Sequence, residues 1–243
     1  MSSTSEVGHA KTLAIFKALI KYCQGYGAVY NPSSDQIKID PMLLQLKAAE
    51  EAHADCLKKQ TLFNNAVDAR MHLFEGLVPM ATRVTNALIA SGAELNSIKS
   101  ARSIMNKLRG KRVGKIEENP DPNQPLPETN SSSQRSIDKM IEHFTALFEL
   151  VQSLNGYQPN ESELQTASLL MYKTQLSDAN DLVLQAKTDW SNARISRYGT
   201  MYVAKIGFSA TSNLVKNYVK SIFGASSQQY KQLSALQFTK PAK

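Results

Sequence analysis

A run of residues between Tyr157 and Arg197 restricts the fold more than any other stretch of this sequence. Leu169, Tyr172, Leu176, Ala179, Val183, Ala186, Trp190, Ala193 and Arg197 recur at alternating steps of three and four. That period places them on one stripe of a helix long enough to pack along other helices, and it fits no strand. The same stretch has a counterpart 127 positions earlier: Tyr30 matches Tyr157, Pro32 matches Pro159, Leu43 matches Leu170, Ala52 matches Ala179 and Leu57 matches Leu184. Thr61, Asn65, Ala66 and Arg70 match Thr188, Asn192, Ala193 and Arg197. Helical sequences share Leu and Ala at similar spacing by default, but Tyr-x-Pro, Asn-Ala and Arg are not core filler, so the matches predict a duplicated helical unit.

The remaining elements follow in order. Met1 to Gly8 is small and polar, and is expected to be a disordered start. Leu13, Phe16, Ile20 and Cys23 predict a first helix that Gly25 and Gly27 end. After the loop carrying Pro32, Asp40 is placed as an N-cap and Pro41 as the first residue of a long helix running to about Leu77, where Pro79 should kink it. Ser91 and Gly92 stop that pattern, and Ile98 to Leu108 predicts a third helix. Residues 113–133 read as a linker, with Pro120, Pro122, Pro125, Pro127 and a run of three serines. Then the order restarts: a helix from Ile137 to Leu154, the Asn155–Pro159 loop, a capping-box-like Asn160 and Glu163, and a second long helix from Glu161 to about Phe223 with Gly224 as its C-cap. The predicted class is all-α, an elongated helical bundle of two repeated three-helix units about a pseudo-two-fold, with repeat 1 at 9–112 and repeat 2 at 134–239 in one packed domain.

The Tyr-x-Pro loops before the long helices, together with the C-terminal Phe223-Gly224-Ala225-Ser226-Ser227-Gln228-Gln229-Tyr230-Lys231, resemble a group of uncharacterised bacterial all-helical proteins with an internal duplication. The resemblance covers most of the second half and is fainter in the first, where Phe-Gly is reduced to Ser91-Gly92. It implies a fold and no activity.

Chemistry-bearing patterns are sparse. Glu50 and His53 form the Glu-x-x-His pair of di-iron bundles, but the matching positions 127 residues on are Ser177 and Asn180, so a solvated helix face is the expected reading. His72 and Glu75 have the reverse order. Gly110 to Lys115 lacks the Walker spacing, and two Cys with four scattered His cannot make a structural zinc site. No catalytic residue, cofactor or metal ligand is therefore assigned, and the chain is read as not an enzyme. Cys23 and Cys56 are read as reduced, half-buried thiols of a cytoplasmic protein; Lys11, Lys17 and Lys21 interrupt the only apolar segment near the start, and no stretch approaches the roughly 20 apolar residues of a membrane span.

Two features carry the functional expectation. Arg70 and Arg197 each close a seam where an apolar residue belongs, so each guanidinium must meet a carboxylate, a carbonyl or a bound anion. An ion-paired structural role is preferred over a ligand site. The second feature is charge. The net +7 is unevenly spread: residues 76–116 hold one acid and eight bases, 191–243 no acid and eight bases, and 117–190 twelve acids and four bases. Lys99, Arg102, Lys107, Arg109, Lys111 and Arg112 end the third helix, while Lys205, Lys216, Lys220 and Lys231 are interleaved with Tyr202, Phe208, Tyr218, Phe223 and Tyr230. Cations with aromatics suit a phosphate backbone with stacked bases, although aromatics at helical spacing also suit a core. The expectation is a helical interaction or assembly module whose partner is another protein or a second copy. Nucleic-acid (polyanion) binding by the basic third of each repeat is the alternative, and a membrane-active helical protein is the least favoured.

Overall fold

The computed structural model describes residues 4–111 and 135–238. The described residues form eight α-helices: α1 Thr4–Gly25, α2 Ile39–Glu75, α3 Leu77–Ala90, α4 Leu95–Leu108, α5 Ile137–Gln152, α6 Thr166–Tyr202, α7 Phe208–Phe223 and α8 Gln228–Ser234. Short 3-10 turns lie at Gly27–Val29, Asp35–Ile37 and Ser162–Leu164, and no strand occurs among the described residues. The protein is all-α. The expected linker 113–133 and Arg112 fall outside the described residues.

The seam is real. Leu169, Leu176, Val183, Ala186, Ala193 and Arg197 are buried and Tyr172, Ala179 and Trp190 half-buried along α6; Met42, Ala49, Cys56 and Ala66 are buried along α2. The helix limits differ from the sequence reading in several places: α2 starts at Ile39, so Asp40 and Pro41 lie inside its first turn and not at the N-cap and first position, and α4 starts at Leu95 and not Ile98. Helix α1 already includes Thr4 to Gly8, which were expected to be disordered. α2 stops at Glu75 and α3 restarts at Leu77, so the chain breaks at Gly76 instead of kinking at Pro79. Pro79 has no N–H to give the Glu75 carbonyl, and by restarting one turn earlier the helix puts it where no intrahelical donor is needed. α6 begins at Thr166, after the 3-10 turn Ser162–Leu164, and not at Glu161. Its far end is Tyr202; a turn at Val203–Gly207 separates it from α7, where one helix to Phe223 was expected.

The 127-residue offset extends to the elements themselves. α2 and α6 each have 37 residues and both their ends lie 127 positions apart. Tyr30 donates its hydroxyl to the Ile37 carbonyl at 2.7 Å, and Tyr157 donates to the Leu164 carbonyl at 3.0 Å, each across seven residues. Each phenol thus ties a Tyr-x-Pro loop to the last residue of the 3-10 turn that introduces a long helix.

Two compact units form, and neither is a sequence half. Unit 1 comprises residues 1–63 and 186–243, unit 2 residues 64–185. In unit 1, Phe16, Leu19, Ile20 and Met42 pack with Met201, Phe208, Val215, Val219 and Leu233, and the rings of Phe16 and Phe208 stack at 3.9 Å. In unit 2, Leu77, Val84, Leu88, Met105 and Leu108 pack with Phe144, Leu147, Val151, Leu169 and Leu176. Both long helices contribute to both units.

Candidate functional site

The polar side chains that the long helices bury are the places where this fold departs from plain packing. In unit 2, Arg70 on α2 is half-buried, and its Nη1 donates to Asn180 Oδ1 on α6 at 2.8 Å. Asn180 Nδ2 donates in turn to Asp138 Oδ1, in the first turn of α5, at 3.0 Å. The amide therefore relays the guanidinium to a carboxylate without placing the two charges side by side. This meets the demand that an Arg on a buried seam find an acceptor, and it needs no ligand.

Unit 1 treats its corresponding Arg differently. Arg197 is 3% exposed, and its charge acts on the hydroxyl of Tyr202, one turn on in α6. His9 from α1 is 4% exposed, with Nδ1 2.8 Å from Tyr202 Oη. His53 from α2 faces His9 with ring centroids 6.4 Å apart, and the rings of Tyr198 and Tyr202 lie 5.3 Å apart. Thr12, buried on α1, donates to the Gly8 carbonyl at 2.8 Å and bonds the Tyr202 hydroxyl. Burial raises the Tyr202 pKa, while Thr12 and the Arg197 charge oppose that shift, so the phenol stays protonated at neutral pH. A buried guanidinium, a phenol, a threonine and two imidazoles thus meet where three helices come together.

No protein family, curated protein or solved structure matches the chain. The reading of this cluster therefore rests on its own chemistry. Its sequence signal was slight: His9 and Tyr202 are 193 positions apart, and neither lies in a motif. Only His53 and Arg197 stand out from the sequence. Glu50 is exposed while His53 turns toward His9, so the Glu-x-x-His pair is not a shared ligand face. Among the described residues no group of three or more His, Cys, Asp or Glu is placed to hold a metal ion. His72 and Glu75 approach to 3.5 Å with both side chains at least 70% exposed, a geometry worth little.

The candidate polyanion-binding residues divide between the units. Lys99, Arg102, Lys107, Arg109 and Lys111 belong to unit 2, and Lys205, Lys216, Lys220 and Lys231 to unit 1. Several are already engaged. Lys216 Nζ donates to the Leu236 carbonyl at 2.6 Å, and burial lowers its pKa, which makes it a brace between α7 and the chain after α8. Arg109 Nη2 donates to Thr82 Oγ1 at 3.2 Å; Lys220 sits 5.7 Å from the Tyr230 ring centroid. Lys107 is half-buried near His143. Lys99, Arg102, Lys111, Lys205 and Lys231 are exposed. The interleaved aromatics serve the core: Phe208 stacks on Phe16, Tyr218 meets Tyr30 edge-on at 5.3 Å, and Phe223 lies 5.4 Å from Tyr26. Trp190 lies parallel to Phe63 with Arg194 over its ring, and Lys59 pairs with Asp189 at 3.8 Å.

Cys23 and Cys56 are both buried and neither is in a disulfide. Burial pushes the Cys23 thiol up to about 11. No helix among the described residues is long and apolar enough to cross a membrane.

Proposed function

We propose that this chain is a non-enzymatic helical assembly module whose partner is a second copy of itself, and that it arose by duplication of one helical unit. The exposed apolar side chains of the long helices carry the reading. On α2, Leu43, Leu44 and Leu57 are 37%, 68% and 42% exposed; at the matching positions of α6, Leu170, Met171 and Leu184 are 45%, 63% and 64% exposed. Apolar residues exposed singly are ordinary, but the same three positions left exposed on both helices are a repeated pattern. A repeated apolar surface suits a partner carrying the same repeat, as in the self-complementary interfaces of homo-oligomers. Sedimentation or light scattering from nanomolar to high micromolar protein tests this. Association should appear in that range and be lost in the Leu44→Glu/Met171→Glu double variant; a strict monomer throughout overturns it.

Charge favours a second reading, polyanion binding by unit 1. Unit 1 holds 16 Lys and Arg against seven Asp and Glu, a net of +9, whereas unit 2 holds 12 against 14, a net of −2. The basic excess of the whole chain therefore belongs to one unit. An electrophoretic shift with mixed DNA and RNA at low and physiological salt tests it, with affinity falling steeply as salt rises. Reversing exposed Lys17, Lys21 and Lys231 of unit 1 to Glu should weaken binding to all sequences alike, while reversing Lys99, Arg102 and Lys111 of unit 2 should change it little. No shift at low salt removes this reading.

A further inference from the structure

The way the two cores are assembled points to a partner and to a mode of pairing beyond the apolar faces. In unit 1 the first half of the sequence supplies α1 and the start of α2, and the second half supplies the end of α6, α7 and α8. In unit 2 the first half supplies the end of α2, α3 and α4, and the second supplies α5 and the start of α6. Both cores mix the two halves: Phe16 stacks on Phe208 in unit 1, and Leu88 and Leu108 share a cluster with Phe144 and Leu147 in unit 2. The polar contacts cross in the same sense. Tyr26 Oη donates to the Gln229 carbonyl at 3.1 Å, Gln45 Nε2 to the Ile206 carbonyl at 2.6 Å and the Asn31 N–H to Tyr218 Oη at 3.0 Å. In unit 2, Tyr172 Oη donates to the Leu73 carbonyl at 2.9 Å and Arg70 to Asn180.

Neither half can bury its apolar residues alone, and one half of each kind is enough to complete both units. The halves are joined through the 23 residues 112–134, which lie outside the described residues. We infer that the two halves are mutually completing chains, and that a second copy of this protein can supply either one: residues 4–111 of one copy close with 135–238 of another, and the reverse. The product is a reciprocally exchanged dimer with the same cores and hydrogen bonds as the monomer, its two bodies held together by two crossing links. Because the two halves belong to one chain, their pairing is intramolecular and independent of concentration, so closure within one chain dominates in dilute solution and exchange rises when chains refold together at high concentration.

The test uses the full chain with a site-specific protease sequence placed after Asn130. Cut as a native monomer in the Leu44→Glu/Met171→Glu background, the two fragments should stay together on gel filtration with an unchanged helical spectrum, and the melting temperature, flat with concentration before cutting in that background, should fall on dilution. Fragments that separate at micromolar concentration overturn the inference. The uncut chain is then refolded over a range of concentrations. A dimer whose yield grows with refolding concentration, and whose mass is halved when both links are cut, is the exchanged form; a chain that refolds only to monomer at every concentration overturns the exchange. Leu44→Glu/Met171→Glu keeps this result apart from the proposed face-to-face assembly. That variant abolishes association through the helix faces but leaves the exchanged dimer, and a face-to-face dimer keeps its mass after cutting.

Discussion

Replacing Gly207 with Ala separates the observed fold from the continuous helix that periodicity suggests. Gly207 lies in the turn between α6 and α7, with its N–H donating to the Val203 carbonyl at 2.7 Å. Its φ of −72° and ψ of 169° are open to any residue, so the constraint is space. A Cβ built there would lie 2.6 Å from the Val203 oxygen, 2.8 Å from the Met201 oxygen and 2.8 Å from the Val203 nitrogen, where ordinary contact starts at 3.4 Å. All three are backbone atoms, so no side chain can swing aside, and the turn must open by 0.6–0.8 Å. Absorbing that in bond angles costs roughly 4 kcal/mol for a 15° distortion, and the lower chain entropy of Ala returns up to about 1 kcal/mol. A net loss of about 3 kcal/mol lowers the melting temperature by about 6–12 °C for a chain of this size. The damage should centre on unit 1, because α7 carries Phe208, Val215 and Val219 into its core. Circular dichroism gives the global melt, and fluorescence of Trp190, the single tryptophan, follows unit 1. If α6 and α7 were one helix, Ala would instead stabilise it by about 1 kcal/mol. A Gly207→Ala protein melting at or above the wild-type temperature would therefore refute the turn and the reasoning built on it.

Three further outcomes are expected. Asn180→Ala removes the relay between Arg70 and Asp138 and leaves a half-buried guanidinium without its acceptor, so it should cost about 1–3 kcal/mol; in the Arg70→Met background the same change should cost much less, as a double-mutant cycle by denaturant unfolding would read. His143 is buried on α5, and desolvation followed by the Lys107 charge lowers its pKa below 6.5, so its neutral form is favoured in the fold; stability should be fully present above pH 6.5 and decline as pH falls below it, and His143→Gln should flatten the melting temperature between pH 7 and 5. Burial holds the Cys23 thiol pKa near 11 and its exposure at 1%, so native protein should resist alkylation of Cys23 at pH 8 while denatured protein reacts quickly.

Much of the helical framework is legible in the residues, because a long stripe at three and four spacing has one physical meaning. The α6 seam is buried or half-buried at all nine positions, and Gly224, at φ 88°, donates its N–H to the Lys220 carbonyl as a C-cap in a backbone region that side chains avoid. The breaks are less legible. Apolar spacing runs on from Tyr202 through Ile206 to Val215, so the periodicity carries no sign of the turn at Val203–Gly207; the only local hint is one Gly, which helices tolerate. At Gly76 the hint was present and misplaced: Pro79 announces a defect, but a proline's missing N–H is felt four residues upstream, and the chain breaks there.

Least legible is what lies beside what. In sequence order basic blocks alternate with an acidic one, and only the assembly of unit 1 from both halves gathers the charge into +9 against −2. Arg70 and Arg197, 127 positions apart on the two long helices, also have unlike surroundings. Each long helix ends in the unit that holds the start of the other long helix. Arg70 meets Asn180, which leads to Asp138; the residue 127 positions before Asn180 is His53, and in place of Asp138 stands Lys11. The residue types at the positions matching Asn180 and Asp138 therefore differ from the pair that holds Arg70. In unit 1 the Arg197 charge acts on Tyr202, whose hydroxyl Thr12 bonds and His9 Nδ1 meets at 2.8 Å. The two units differ in chemistry at this point: an Asn that leads to an Asp holds Arg70, whereas a phenol bonded by a threonine and met by an imidazole stands beside Arg197.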